Sequence, residues 1–257
     1  MAIISDDGAS RSGRLVHVEQ VWGTAVSLHL LGSDDDALAA TRDEIVELLH
    51  HVDDVFSAYR DDSLLMQWQR KEATASPELQ DVLALAGTVS VLTHGAYDVR
   101  WNGEPDPTGV VKGWAVDRAV DIAARNGVIN LVINADGDLS TRGASASGLP
   151  WQIGISDPAD RTQTILTAVG NELNVATSGP GELGEHIKCR SQRTAVSATV
   201  LGPNLAVADG IATAAIAAGA AAPKILDELD ESGWLSQVVG IDGSVWRSPK
   251  LAQLMGG

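Results

Sequence analysis

The sequence predicts an α+β fold in which mixed, largely antiparallel sheets pack with helices. Strand-like segments occur in consecutive runs instead of alternating regularly with helices, which argues against a doubly wound parallel sheet. The chain has 257 residues, the upper end of what one hydrophobic core can organise. No internal repeat or long linker divides it. We therefore expect a loose tail over residues 1–13 and a single domain over residues 14–257.

The first elements are a hairpin and a long helix. Residues 14–31 alternate in hydropathy around a tight Trp22-Gly23-Thr24 turn, the pattern of two paired strands. Ser33 and the three acids that follow it mark a helix start, because acidic residues suit the positive end of the helix dipole. Apolar residues then recur at helical spacing as far as Phe56, which predicts an amphipathic helix.

The remaining elements follow from capping residues, apolar runs and glycine stops. Ser76-Pro77 is an N-cap with proline at the first helical position, and Gly95 and Gly127 are helix stops. In chain order we predict a helix from 77 to near 95, a strand at 97–101, a helix at 113–125, strands at 129–134, 151–155, 163–169, 173–176 and 195–201, helices at 204–218 and 223–231, and two strands around 234–247.

The charge balance argues against two classes of partner. The chain carries 18 Lys and Arg against 34 Asp and Glu, a formal net charge of −16. A surface with this much negative charge repels phosphate backbones and anionic lipid headgroups. We therefore expect no nucleic-acid partner and no membrane partner. A ligand that carries phosphate then needs a lysine, a helix N-terminus or a bound cation beside it.

Several features predict a cytoplasmic protein. Cys189 is the only cysteine, so no intrachain disulfide can form. The first residues are acidic and lack the basic and apolar segments of a signal peptide. The most apolar stretch, residues 211–222, is too short to span a bilayer.

The most informative segment for function is residues 205–216. It is apolar on nearly every side, which predicts a buried helix, and its two polar residues other than glycine, Asp209 and Thr213, share one face. A buried carboxylate must be protonated, paired or bound to a metal. The pattern leaves two interpretations open. Either Asp209 accepts backbone hydrogen bonds while Thr213 bonds to its own helix, or both oxygens bind a metal, which such hard ligands predict to be Mg²⁺.

Two further segments could contact a ligand. Residues 106–117 bring Lys112 and Gly113 to a helix start, where free N–H groups suit a phosphate, although an ordinary surface turn has the same composition. Residues 176–186 combine glycines, hydroxyls and His186, typical of a ligand-contacting loop. The absence of Gly-x-Ser-x-Gly argues against a hydrolase elbow. Cys189 lies too close in sequence to His186 to suggest a catalytic pair, so we interpret it as a bystander.

In this order, the segments resemble the FAD:protein FMN transferase family, the ApbE-like proteins. The resemblance spans residues 14–220 and includes the family's Lys-Gly-Tyr-Ala-x-Asp and Asn-x-Gly-Gly-Asp signatures. The matching residues are Gly23-Thr24, Phe56-Ser57-Ala58-Tyr59 with Ser63, Val111 to Asp117, Asn134 to Asp138, Trp151 with Gly154-Ile155 and Asp157-Pro158, Thr177-Ser178-Gly179, His186-Ile187, and Ala208-Asp209 with Ala212-Thr213.

The resemblance implies a Mg²⁺-dependent reaction in which FMN passes from FAD to a Ser or Thr hydroxyl of an acceptor protein and AMP leaves. It implies a metal held by Asp209, Thr213 and the backbone carbonyl of Val111, with His186 and Asp209 as catalytic residues. The residues that it implies for cofactor binding are Lys112, Gly113, Asp117, Asn134, Asp138, Thr177, Ser178 and Gly179.

The sequence also departs from the family pattern. Lys188-Cys189-Arg190-Ser191 follows His186-Ile187 where the family has Asp-Pro-x-Thr-Gly, and Asp136 replaces the first glycine of Gly-Gly-Asp. The lipoprotein signal of exported members is missing. Two rival functions therefore stay open. The protein could bind FAD without transferase activity, or it could be an FAD pyrophosphatase that gives FMN and AMP.

Overall fold

The computed structural model describes residues 2–3, 13–101, 103–179 and 193–255, which form two sheets and seven α-helices. The strands are β1 (Ala2–Ile3), β2 (Arg14–Val21), β3 (Thr24–Leu31), β4 (Asn130–Ala135), β5 (Asp138–Arg142), β6 (Trp151–Ser156), β7 (Thr164–Gly170), β8 (Leu173–Ser178), β9 (Ala195–Leu201), β10 (Leu235–Gly240) and β11 (Val245–Arg247). The helices are α1 (Asp35–Phe56), α2 (Leu64–Gln69), α3 (Pro77–Leu92), α4 (Thr108–Arg125), α5 (Leu205–Ala218), α6 (Ala222–Asp230) and α7 (Pro249–Met255).

The main sheet has eight strands in the order β11-β10-β9-β8-β5-β4-β3-β2, and every pairing is antiparallel. Most neighbours are consecutive in sequence. Between β5 and β8 the chain leaves this sheet to form β6 and β7, which pair with β1 in a three-stranded sheet. Because β6 and β7 lie outside the main sheet, β5 pairs directly with β8, and the start of β5 lies beside the end of β8. The candidate site lies at this end of the two strands.

Helices and the small sheet cover opposite faces of the main sheet. The largest apolar cluster joins one face to α1, α3, α4, α5 and α6. On the other face, Trp151 and Ile153 of β6 pack with Val132 and Leu139. Leu251 of α7 extends this second layer. The predicted α+β fold with antiparallel sheets is confirmed.

Helix α5 is buried on almost every side, as its sequence predicts. Twelve of its fourteen residues are buried, and Asn204 caps it by accepting a hydrogen bond from the Val207 N–H. With the short 3₁₀ turn and α6 it forms a continuous helical run, Leu205–Asp230, long and apolar enough by length and composition to cross a membrane, but 83% of its apolar window is buried in the fold. The expectation that the apolar stretch is too short therefore fails on length, although burial accounts for its hydropathy.

Three differences from the predicted elements have local causes. The strand predicted at 97–101 is wrong, because His94 and Gly95 take positive φ angles after α3 and the chain then turns, with the Asp106 N–H donating to the carbonyl of Val99. Helix α4 begins at Thr108 instead of 113, since Asp106 accepts the free N–H of Thr108. The short elements β1, α2, β5 and α7 were missed, and β1 lies within the predicted tail.

Candidate active site

The candidate site lies at one end of the main sheet, where two helices meet two strands. Lys112 comes from the start of α4, Asp209 and Thr213 from α5, Asp138 from the first position of β5 and Ser178 from the last position of β8. The sequence separates these residues by as many as 101 positions, and the fold brings them together.

Two glycines allow α4, α5 and α3 to approach closely. A methyl group built at Gly113 would lie 2.7 Å from Cα of Ala206 and 2.7 Å from the carbonyl oxygen of Leu205. One built at Gly210 would lie 2.7 Å from Val89 and 2.8 Å from Val110. Because no side chain separates the helix backbones, the N–H of Gly113 donates to Oδ2 of Asp209 over 3.3 Å.

An ion pair lies beside this contact. Nζ of Lys112 is 2.7 Å from Oδ2 of Asp138, whose side chain is 1% exposed, whereas that of Lys112 is 35% exposed. Asp209 is 3% exposed. Two buried carboxylates thus share one ammonium group among the residues that the structure describes, which leaves the site with an excess of negative charge.

The ionisation of these groups reflects their burial and mutual proximity. Burial first, and then the charge of Asp138, raise the pKa of Asp209 against the opposing effects of Lys112 and the Gly113 N–H. Burial likewise raises the pKa of Asp138, although Lys112 opposes it. Burial would lower the pKa of Lys112, but Asp138 and Asp209 outweigh it and raise that pKa. The lysine is therefore charged at neutral pH, and the carboxylates gain from any further cation.

Hydroxyl groups line the same end of the sheet. Oγ of Ser178 lies 3.1 Å from Oγ1 of Thr213, so β8 and α5 contact each other through the predicted ligand-binding and metal-binding residues. Oγ1 of Thr177 lies 3.0 Å from Oγ1 of Thr199 on β9. Gly179 follows directly, and a methyl group there would meet the carbonyl oxygen of Val196 at 2.8 Å. The predicted Thr177-Ser178-Gly179 segment therefore borders the site.

Two other predicted residues have structural roles. Asp117 caps α5, since its carboxylate accepts from Nδ2 of Asn204 at 2.9 Å and from the Ala206 N–H at 3.1 Å. Oδ1 of Asn134 accepts from the Gly137 N–H at 3.1 Å and so holds the β4–β5 turn. In that turn Asp136 takes a φ of 51°, a left-handed conformation that Asp tolerates better than most residues. Contacts of Asp117 and Asn134 with a cofactor stay predictions.

The Phe-Ser-x-Tyr motif lies next to α4. The ring of Phe56, the last residue of α1, meets the ring of Trp114 edge-on with centroids 5.5 Å apart. Ser63, which also belongs to the motif, donates to the carbonyl of Ser57 at 2.7 Å and caps α2. The intervening Tyr59 is 83% exposed. The motif thus presents an aromatic ring to solvent near the lysine-bearing helix.

The residues at hand suit a small hard cation better than a soft one. Within the described residues, no group of three or more His, Cys, Asp or Glu side chains is placed to hold a metal. Asp209 and Thr213 instead offer one carboxylate and one hydroxyl, and the shortage of positive charge around Asp138 and Asp209 fits a divalent cation. Val111 lies in the first turn of α4, where a helix carbonyl ordinarily accepts the N–H four residues on, so its role as a metal ligand stays a prediction.

Some of the predicted residues cannot be placed, and one residue was missed. His186, with the departing segment Lys188 to Ser191, lies outside the described residues, so its catalytic role also stays a prediction. The missed residue is Tyr97, which follows α3 and packs against Gly109 of α4. The segment looked like a strand because it is rich in β-favouring residues, and only the His94-Gly95 helix stop indicated a turn.

Comparisons with known proteins show the family of this chain and its fold. A sequence model of the ApbE family matches residues 22–103 and 104–234. The FAD:protein FMN transferase of Salmonella typhimurium is 23% identical over 74% of this chain and 75% of that protein. The FAD:protein FMN transferase of Vibrio cholerae is 24% identical over 82% of this chain and 84% of that protein. The crystal structure of an ApbE protein from Thermotoga maritima has a TM-score of 0.80 at 20% identity and covers 93% of this chain and 98% of its own.

Proposed function

Since the chain belongs to the ApbE family, we propose that it transfers FMN from FAD to a serine or threonine hydroxyl of an acceptor protein, with Mg²⁺ as cofactor. The Salmonella and Vibrio relatives carry the name of that transferase. The observation that carries the proposal is the pair of buried carboxylates, Asp138 and Asp209, which share the ammonium of Lys112 among the residues that the structure describes.

The proposed reaction exchanges one phosphorus–oxygen bond for another. The acceptor hydroxyl oxygen bonds to the FMN-side phosphorus of the FAD pyrophosphate, and the bond from that phosphorus to the bridging oxygen breaks. The bridging oxygen leaves with AMP, and the hydroxyl proton passes to a base, the role proposed for His186. A displacement of this kind depends on positioning and on offsetting negative charge.

The residues of this chain divide that work. Lys112 is one-third exposed, so its ammonium can approach a phosphate while Asp138 holds its side chain in place. Asp209 and Thr213, with a backbone carbonyl of α4, would hold Mg²⁺, which neutralises pyrophosphate charge when bound. Ser178, in contact with Thr213, lies where a phosphate or ribose oxygen could accept its proton. An acidic protein needs such local positive charge to bind FAD at all.

A single incubation tests the proposal. The purified protein is mixed with FAD, Mg²⁺ and an acceptor protein that the Vibrio cholerae relative flavinylates. The acceptor is used with its target hydroxyl intact or replaced by alanine. We expect AMP and flavinylated acceptor in equal amounts, no labelling of the alanine acceptor, and loss of both products with EDTA.

The same incubation separates the rival functions. AMP with free FMN and no labelled acceptor identifies an FAD pyrophosphatase, because water then replaces the hydroxyl. Saturable FAD binding without AMP identifies a binding protein. Absence of any flavin binding at millimolar FAD contradicts the proposal as a whole.

A further inference from the structure

Tyr97 carries a buried polar atom at the candidate site. The residue is 5% exposed, and its phenolic oxygen makes no hydrogen bond of acceptable geometry with any residue that the structure describes. Buried hydroxyl groups in folded proteins almost always have a partner. A buried hydroxyl group without a partner at a ligand site indicates that its hydrogen-bond partner is supplied when the ligand binds.

The phenolic oxygen lies beside the first turn of α4, at a point that the predicted metal-binding helix α5 also approaches. A methyl group built at Gly109 would be 3.3 Å from Oη of Tyr97 and 3.5 Å from Cγ2 of Thr213, so the hydroxyl and Thr213 approach the same point on the first turn of α4. Gly109 is also close to Cε2 of the Tyr97 ring, at 2.9 Å from that methyl position. The absence of a side chain at 109 is what lets the ring reach this depth.

The backbone around Tyr97 is fixed, so the hydroxyl has a defined position. Thr93 caps α3 and is fully buried, and its Oγ1 accepts from the Tyr97 N–H at 3.1 Å while donating to the carbonyl of Val89 at 2.7 Å. On the other side, Asp106 fixes the start of α4. Tyr97 therefore spans the junction of α3, α4 and α5.

The groups that face the hydroxyl keep its proton in place. Burial, followed by the negative charges of Asp209 and Asp106, raises the pKa of Tyr97 above its ordinary value, and the backbone N–H of Gly109 offsets little of this. An ordinary phenol is protonated at neutral pH, so this hydroxyl is a donor that lacks an acceptor among the described residues.

We propose that Tyr97 is a positioning residue for the cation site of Asp209 and Thr213, and that its hydroxyl donates a hydrogen bond to one of the oxygen atoms gathered there when a divalent cation binds. This rests on the proposed function, since it presumes that the site takes a cation. In the ligand-free protein this O–H group has no acceptor among the described residues, which costs stability. In the bound protein it orients the oxygen that accepts its proton.

The test is Tyr97→Phe, which removes the hydroxyl and keeps the ring. Thermal melts are recorded for the free protein, over a titration of Mg²⁺ alone, and over Mg²⁺ with FAD. We expect the free variant to melt about 2–4 °C higher than wild type, because a buried unsatisfied group is gone. We expect the Mg²⁺ concentration for half-maximal stabilisation to rise about three- to tenfold, because the bound state loses a hydrogen bond.

Ser236→Ala is the matched control. Ser236 on β10 is fully buried, and its Oγ also lacks a partner among the described residues. Its removal should raise the melting temperature of the free protein and leave the Mg²⁺ titration unchanged. The control separates the cost of an unsatisfied hydroxyl from a role at the site.

The outcomes are distinct. A Tyr97→Phe variant that melts lower when free, or that keeps the wild-type Mg²⁺ titration, overturns the inference alone. A wild-type protein that shows no stabilisation by Mg²⁺, with or without FAD, overturns both the inference and the proposed cation. Opposite shifts, higher stability when free and weaker Mg²⁺ response, support the inference.

Discussion

Nζ of Lys112 lies 2.7 Å from Oδ2 of Asp138, a carboxylate that is almost completely removed from water. Lys112→Met should destabilise the protein by about 1–3 kcal/mol, because it leaves this buried carboxylate without its cation. The loss should be smaller than for a fully buried ion pair, because one-third of the lysine side chain is exposed to solvent. Urea unfolding measures the change. Lys224→Met, at an exposed position of α6, should leave the unfolding free energy nearly unchanged, and equal losses in both variants would contradict the prediction.

The second prediction concerns Asp209 and Thr213. Asp209→Asn should keep the fold and lose stabilisation by Mg²⁺ and FAD together with FAD cleavage, because a neutral amide compensates a divalent ion poorly. Thr213→Ala should be milder, since water can replace a neutral hydroxyl ligand. Thermal melts with and without ligands measure both effects.

Thr88→Ala controls for loss of a threonine hydroxyl, because Thr88 is exposed and donates only to Ala84 of its own helix. If Asp209→Asn melts lower yet keeps the full ligand-induced shift, Asp209 serves buried backbone donors and the cation binds elsewhere. This result would favour the first of the two interpretations that the sequence left open.

The third prediction tests the close approach of α4 and α5. Gly113→Ala should destabilise the protein by about 1–3 kcal/mol and weaken the Mg²⁺ response, because its methyl group would meet the backbone of Ala206 and Leu205 at 2.7 Å. Gly87→Ala in α3 is the matched control. A methyl group there has no atom within 4 Å, so alanine should stabilise the helix by about 0.5–1 kcal/mol. Similar effects in the two variants would contradict the packing argument.

The fourth prediction concerns Asp136, the exposed acid that replaces a family glycine. Its charge opposes ionisation of Asp138 and lies near Lys112. Asp136→Asn should tighten FAD binding by up to about fivefold at low salt, because it removes a negative charge whose repulsion of the phosphates is worth about 1 kcal/mol or less. Asn is chosen because it tolerates the positive φ of this position. Fluorescence titration of FAD measures the change. Glu172→Gln, on the β7–β8 turn at the other end of the sheet, should leave FAD affinity as it is, and weaker binding by Asp136→Asn would reject the prediction.

The fifth prediction is a pH dependence outside the site. Oε2 of Glu19 lies 2.9 Å from Nε2 of His17, and Oε1 lies 3.0 Å from Nε2 of His50, so the carboxylate joins β2 to α1. The hydrogen bond from His17 contributes most to lowering the pKa of Glu19. Since the unfolded pKa is the higher one, this stabilisation is present above about pH 4.3 and is lost as the pH falls through the folded-state value.

The comparison of wild type with Glu19→Gln isolates this contribution. The difference in unfolding free energy should be present above about pH 4.3 and shrink as the pH falls below it. Glu47→Gln, at an exposed position of α1, is the matched loss of a carboxylate, and its pH profile is recorded beside that of Glu19→Gln. A constant difference for Glu19→Gln would show that the carboxylate charge has no part in the contact.

Much of the fold could be predicted from local signals, because those signals act within a few residues. The Trp22-Gly23 turn, with φ angles of 58° and 73°, joins β2 to β3 as expected, and the Ser76 cap starts α3. Strand β9 has the predicted bounds. The start of α4 was missed because Asp106, which accepts the Thr108 N–H, lies two residues before Thr108 and not next to the apolar repeat.

The sequence could predict which residues belong to the candidate site but not how they contact one another. Sequence pattern marked Asp209 and Thr213 as polar residues on a buried helix and Lys112 as a possible phosphate contact. The family resemblance added Asp138, and the ion pair is formed by Lys112 and Asp138. The ion pair between the last two depends on how β5 packs under α4, which no local pattern encodes. The same is true of Tyr97, whose approach to Thr213 depends on the missing side chain at Gly109.

The hydrogen bond from Gly113 to Asp209 spans 96 residues of sequence. Contacts between such distant segments carry a large loop-closure entropy, so we expect this one to form late, after the rate-limiting step of folding. A ligand at this junction would then leave the refolding rate unchanged and slow the unfolding rate. Bound nucleotide would therefore lengthen the lifetime of the native protein without speeding the folding of a newly made chain.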